Sequence, residues 1–150
     1  MGKKSSAFTG AISDAAGKLN GNFVRLGEME AEIKKVVEKL ATLAGTLNTK
    51  LPGWQRSPEG QQWTQQSALY DTLVANVKAA LVTVDSNLKT LGDHINGFEK
   101  YVADKKKSKN PFKGKKSVPA SEAFLNLAKG SRQDAILSRA QYEVFLKALQ

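Results

Sequence analysis

The chain has 150 residues, 41% of them hydrophobic, with four prolines and no cysteine, which is enough apolar surface for one folded unit without a disulfide or zinc framework. Its longest clear apolar run is Ala79 to Val82, too short for a membrane-spanning helix, and Met1 to Ser6 lead into Gly- and Ala-containing sequence rather than the apolar core of a secretory signal. Of the net charge of +9, residues 1–104 contribute little, with 12 Lys and Arg against 11 Asp and Glu, and so do residues 117–150, with 4 against 3, so the folded parts are nearly neutral.

The first predicted helix covers about residues 10–48. Ile12, Leu19, Leu26, Ile33, Leu40 and Leu47 recur every seven residues, with Ala16, Phe23, Val37 and Ala44 interleaved, a heptad seam. Gly10, Gly17, Gly21 and Gly27 each cost about 1 kcal/mol relative to Ala in a helix interior. The seven-residue phase nevertheless passes through Gly21 undisturbed, which favours one continuous helix over a break at Leu19-Asn20-Gly21-Asn22.

Leu51-Pro52-Gly53-Trp54 interrupts helix, and Ser57-Pro58-Glu59 supplies an N-cap, a proline at the first helical position and an acid in the first turn. The second predicted helix covers residues 58–104, with Trp63, Tyr70, Val77, Val84, Leu91 and Phe98 seven apart and Val74, Leu81, Leu88, Ile95 and Val102 between them. So short a connection favours an antiparallel hairpin, in a register that pairs Ala44 with Trp63, Leu26 with Leu81 and Ile12 with Ile95. Glu30 then falls opposite Val77 on the seam. Because an unpaired buried charge is costly, it is expected to tilt to solvent while Met29 fills the space.

Residues 105–118 read as a basic, flexible linker. Lys105, Lys106, Lys107, Lys109, Lys113, Lys115 and Lys116 stand there with no acid among them up to Lys116. Beyond it, Val118-Pro119-Ala120-Ser121 opens a short helix that stops at Gly130, and Ser131 with Asp134 resembles a capping box for a last helix. The expected fold is all-α: a long antiparallel coiled-coil hairpin (residues 1–104) with two shorter C-terminal helices (residues 119–150) packed on it or on a partner, four helices in a bundle-like arrangement. Leu69, Leu73, Ala79, Ala80 and Val82, off the main seam of the second helix, widen the surface that receives them.

The chain offers little for catalysis, so no enzyme activity, catalytic residue, cofactor or metal site is assigned. Its one histidine, His94, lies beside the seam, and Leu91 occupies the place where a bundle di-metal site needs a glutamate. Glu28, Glu30 and Glu32 alternate around the helix and pair more simply with Lys34, Lys35 and Lys39. Gly114-Lys115 lacks the first glycine and the Ser or Thr of a phosphate-binding loop.

A hairpin of two helices of about forty residues with tryptophan in the turn resembles the WXG100 secreted proteins of bacteria, over residues 7–104 at most. Gly53-Trp54 reverses that family's Trp-x-Gly, and Lys105 stands where its tail signal has an acid after Tyr101. The resemblance implies a secretion-system substrate or effector module.

Two further functional expectations come from the residues themselves. One is a non-enzymatic interaction or scaffold module, with a protein partner or a second copy held by Trp54, Trp63, Tyr70, Phe124 and Phe145; the alternative is that all but Trp54 serve the chain's own core. The other is nucleic-acid or anionic-membrane binding through Lys105 to Lys116. The compartment stays open between the cytoplasm and export without a conventional signal peptide.

Overall fold

The structure, a computed structural model, describes residues 2–48, 52–108 and 115–150. Three helices account for nearly all of them: α1 (Lys3–Leu47), α2 (Pro58–Lys107) and α3 (Val118–Leu149), with short 3-10 turns at Trp54–Arg56 and Lys115–Ser117 leading into α2 and α3. No strand occurs among the described residues. At 1.5 Å per residue the helices are about 67, 75 and 48 Å long.

Many of the heptad positions become core, although Val36 and Leu73 are buried where the periodicity places Val37 and Val74 on the seam. Ile12, Leu19, Leu26 and Ile33 of α1, Val77, Val84, Leu91 and Phe98 of α2, and Leu81, Leu88, Ile95 and Val102 between them are all buried. Phe8 near the start of α1 stacks on Phe98 near the end of α2, ring centroids 5.3 Å apart, and Asn87 Nδ2 donates to Asn22 Oδ1 at 2.7 Å. The two helices therefore run in opposite directions. Glu30 lies at the edge of their contact, paired with Lys34 at 2.9 Å, and Met29 packs against the core.

Helix α1 is unbroken from Lys3 to Leu47, starting earlier than its periodicity suggests. Ser5 is fully buried and Phe8 has an aromatic partner, so tertiary contacts hold a segment of poor helix propensity. At Gly10, Gly17 and Gly21 an added Cβ would meet nothing within 4 Å, so these glycines face open space.

The C-terminal region departs from expectation: the two predicted short helices are one, α3, continuous through Gly130. Gly130 also faces open space, and buried Ala128 and Ala135 lie on either side of it. Ser121, Ala128, Ala135, Tyr142 and Leu149 keep a seven-residue phase across the glycine, so packing onto α2 overrides the local stop signal.

Polar contacts run the length of the α2–α3 contact. Lys106 pairs with Glu122 at 3.1 Å, Lys129 pairs with Glu99, and Arg132 Nε donates to the Leu88 carbonyl at 3.4 Å. Arg139 grips Asp85 through two bonds of 2.8 and 3.0 Å, and the Tyr70 hydroxyl donates to the Leu149 carbonyl at 2.8 Å. Arg132 and Arg139 continue the phase of Val118 and Leu125, and Gly92 makes room for the first, since a Cβ there would come within 3.0 Å of Arg132 Nε. Helix α3 is therefore antiparallel to α2, and the stacking of Phe23 on Tyr142 closes it against α1.

Two substitutions check this architecture. Gly17→Ala and Gly21→Ala should each stabilise the protein by up to about 1 kcal/mol, read as a higher urea midpoint by circular dichroism; a loss of stability would show that α1 is not continuous there. Phe98→Ala removes a fully buried ring and should cost about 3–5 kcal/mol in the same assay.

Candidate functional site

The two ends of the bundle differ. At one end α1 and α2 outrun α3, which stops at Leu149 against Tyr70. The buried apolar core stops at the same level: α1 has no buried residue after Val36, and before Leu73 α2 has only Gly60. The seam residues continue, yet Leu40, Leu47, Trp63 and Tyr70 are only half-buried. Val37 and Leu69 are each 43% exposed. Two helices alone cannot enclose side chains that three enclose lower down.

This two-helix end has a built turn. Gly53 adopts φ 95°, a conformation that suits glycine, and starts the Trp54–Arg56 turn. Ser57 caps α2 by accepting from Gly60 N–H at 3.1 Å and donates to the Trp54 carbonyl. Pro58 and Glu59 occupy the first turn, the arrangement that Ser57-Pro58-Glu59 expects. A Cβ on Gly60 would collide with the Trp54 carbonyl, so the turn rests directly on the first turn of α2. Beside it, Lys35, Glu38, Thr42, Leu43 and Gln62 line an open groove of about 630 Å³. Gln66 also lines it, and its Oε1 is buried with no hydrogen-bond partner, an arrangement that costs about 1–3 kcal/mol.

The five aromatic interface candidates separate. Phe124 meets Phe98 edge-on, centroids 6.2 Å apart, and Tyr70 and Phe145 pack against the core. Trp54 and Trp63 lie at the two-helix end, half-buried and outside that core. What sets them apart is their place beyond Tyr70, the level at which α2 meets Leu149, which periodicity alone does not show.

At the opposite end, the seven candidate anion-binding lysines do not share one segment. Lys105, Lys106 and Lys107 form the last turn of α2, and Lys115 and Lys116 lie in the 3-10 turn before α3; Lys109 and Lys113 lie outside the described residues. Lys105 Nζ sits 4.8 Å above the Tyr101 ring, and this neighbouring ammonium, opposed by partial burial, holds the phenol below its ordinary range.

His94 is half-exposed. Its neighbour Asp93 pairs with Lys89 at 2.8 Å, which holds the carboxyl below its usual range and raises the amine. Burial raises the Tyr142 phenol, and the Glu30 carboxylate adds to the effect. Among the described residues no three metal-ligating side chains gather, and no helix is long and apolar enough to cross a membrane. Comparison with protein-family models, with curated proteins and with solved structures returns no match for the chain.

The contact between turn and helix sets a test. Gly60→Ala should force the Trp54–Arg56 turn off α2 at a cost of about 1–3 kcal/mol, with a red-shifted tryptophan emission as Trp54 gains solvent. An unchanged spectrum and an unchanged melting temperature would contradict the observed turn.

Proposed function

We propose that the protein is a non-enzymatic helical scaffold that pairs with a second copy through the two-helix end of its hairpin. One observation carries this reading: the heptad seam runs on past Val36 and Leu73 while burial stops there. A coiled-coil seam left half-exposed is completed by another helix pair, since knobs on one side need holes on the other. Two such ends packed against each other form a four-helix arrangement in which Val37, Leu40, Leu69 and Trp63 lose water. Pairing of like with like fits the two-fold symmetry most homodimers adopt.

Size-exclusion chromatography with light scattering at low and high salt tests it. The expected result is a dimer that survives high salt, because apolar burial is not screened, and that becomes a monomer of unchanged helicity when Val37 and Leu69 are both changed to Lys. A monomer at every salt and at concentrations up to about 100 μM, corresponding to a standard free energy weaker than about −5.5 kcal/mol, would sink the proposal. So would a dimer indifferent to the two substitutions.

A further inference from the structure

The other end of the bundle carries a feature that the linear sequence hides. Helix α1 begins at Lys3, α2 finishes at Lys107 and α3 begins at Val118, and the antiparallel course of α2 brings all three termini to one place. Phe8 touches both Phe98 and Tyr101, at 5.3 and 5.4 Å between centroids, which sets the first turns of α1 against the last turns of α2. The Lys106–Glu122 pair does the same for the start of α3. Lys3 and Lys4 therefore join Lys105, Lys106, Lys107, Lys115 and Lys116. The Lys4 charge is felt at the Tyr101 hydroxyl, where Lys105 also sits.

Charge bookkeeping along the chain then changes meaning. The whole net charge of +9 lies in residues 1–4 and 105–116; the remaining residues hold 14 Lys and Arg against 14 Asp and Glu. Among the described residues the same end sets Glu99, Asp104 and Glu122 against these lysines, and two of the three are engaged, Glu99 by Lys129 and Glu122 by Lys106. Lys3, Lys4, Lys107, Lys115 and Lys116 have no carboxylate partner among the described residues. Two helix N-termini, those of α1 and α3, point the positive ends of their dipoles the same way, against one C-terminus from α2.

The shape of this patch discriminates between polyanions. It is an end face, about 20 Å across for a bundle of helices each 10–12 Å wide, at one end of a rod whose flanks carry balanced charge. A duplex spaces its phosphates along a length and is held best by a basic stripe, which the flanks lack. A bilayer surface meets an end face across its full width, within a Debye length of about 10 Å of every lysine. The described apolar residues that are large and exposed are Val24, Val37, Leu69, Val82, Leu127, Leu137 and Val144. None of these lies in the terminal turns of that face, so its described side chains meet a surface through charge.

We propose that Lys3, Lys4, Lys105, Lys107, Lys115 and Lys116 form one composite site at this end of the bundle that docks the protein, end-on and reversibly, on an anionic lipid surface. The α1 lysines are as much a part of it as those around the α2–α3 connection. Because the site uses the opposite end from the proposed dimer contact, it stands or falls separately from that reading.

Co-sedimentation of the full chain with phosphatidylcholine vesicles, with and without about 30% phosphatidylserine, tests it. The expected result is partition onto the serine-containing vesicles only, falling steeply between about 50 and 300 mM salt. Removing charge should cost about fivefold in partition per lysine, so Lys3→Gln with Lys4→Gln and Lys115→Gln with Lys116→Gln should each weaken binding by about 30-fold. Circular dichroism checks that both double variants keep the helicity of the parent. Binding lost with the second pair but unchanged with the first would overturn the composite site. Equal partition onto neutral vesicles, or no partition at the lowest salt, would overturn it as well. Tighter binding to a duplex of about 20 base pairs at the same salt would assign the patch to nucleic acid instead.

Discussion

The three helices of this bundle meet at the aromatic contact of Phe98. Its ring is fully buried and touches Phe8 of α1, Tyr101 of α2 and Phe124 of α3. Aromatic contacts of this kind contribute about 0.5–1.5 kcal/mol beyond the burial of area, but here the geometry matters more. One side chain brings aromatic rings of all three helices together, near the end of the bundle where α1 and α3 begin. Gly97 permits it: a Cβ at that position would come within 3.2 Å of Phe8.

The helices then divide the labour unequally. Between α1 and α2 the contact is largely apolar, relieved by the Asn22–Asn87 bond. Between α2 and α3 the positions that would extend Val118 and Leu125 are Arg132 and Arg139, which reach over α2 to Leu88 and Asp85. Such pairs are partly exposed and add little stability each. Their directional bonds fix where α3 lies along α2, a job that a run of alanines and leucines does poorly. The longitudinal position of α3 in turn decides where the core ends and where the half-buried seam begins.

Much of the fold was legible because the heptads of α1 and α2 are long and regular, and Ser57-Pro58-Glu59 is a strong local start signal. The same rule that carries α1 through Gly21 carries α3 through Gly130. At Gly130 it was outweighed by the apparent cap at Ser131 and Asp134, a reading of local chemistry where tertiary packing decides. Neither candidate surface could be found from periodicity alone. Trp54 and Trp63 differ from Tyr70, Phe124 and Phe145 in lying beyond the level at which Tyr70 meets Leu149, a level that only the continuous packing of α3 on α2 sets. Lys3 and Lys4 join the later lysines only through the course of the chain, a hundred residues of which separate them.

The spacing of the two surfaces has its own physical consequence. Helix α2 spans both, from the turn at Trp54 to Lys107, so a partner at one end and an anionic surface at the other would be held about 75 Å apart. Groups so far apart with no shared neighbours contribute independently to stability. The Debye length places the terminal lysines far outside the electrostatic reach of the two-helix end. Events at the two ends are therefore additive unless α3 itself moves, and α3 is tied along its length from Glu122 to Leu149. With both proposed contacts formed, such a bundle would act as a spacer, in which rigidity transmits distance rather than a conformational signal.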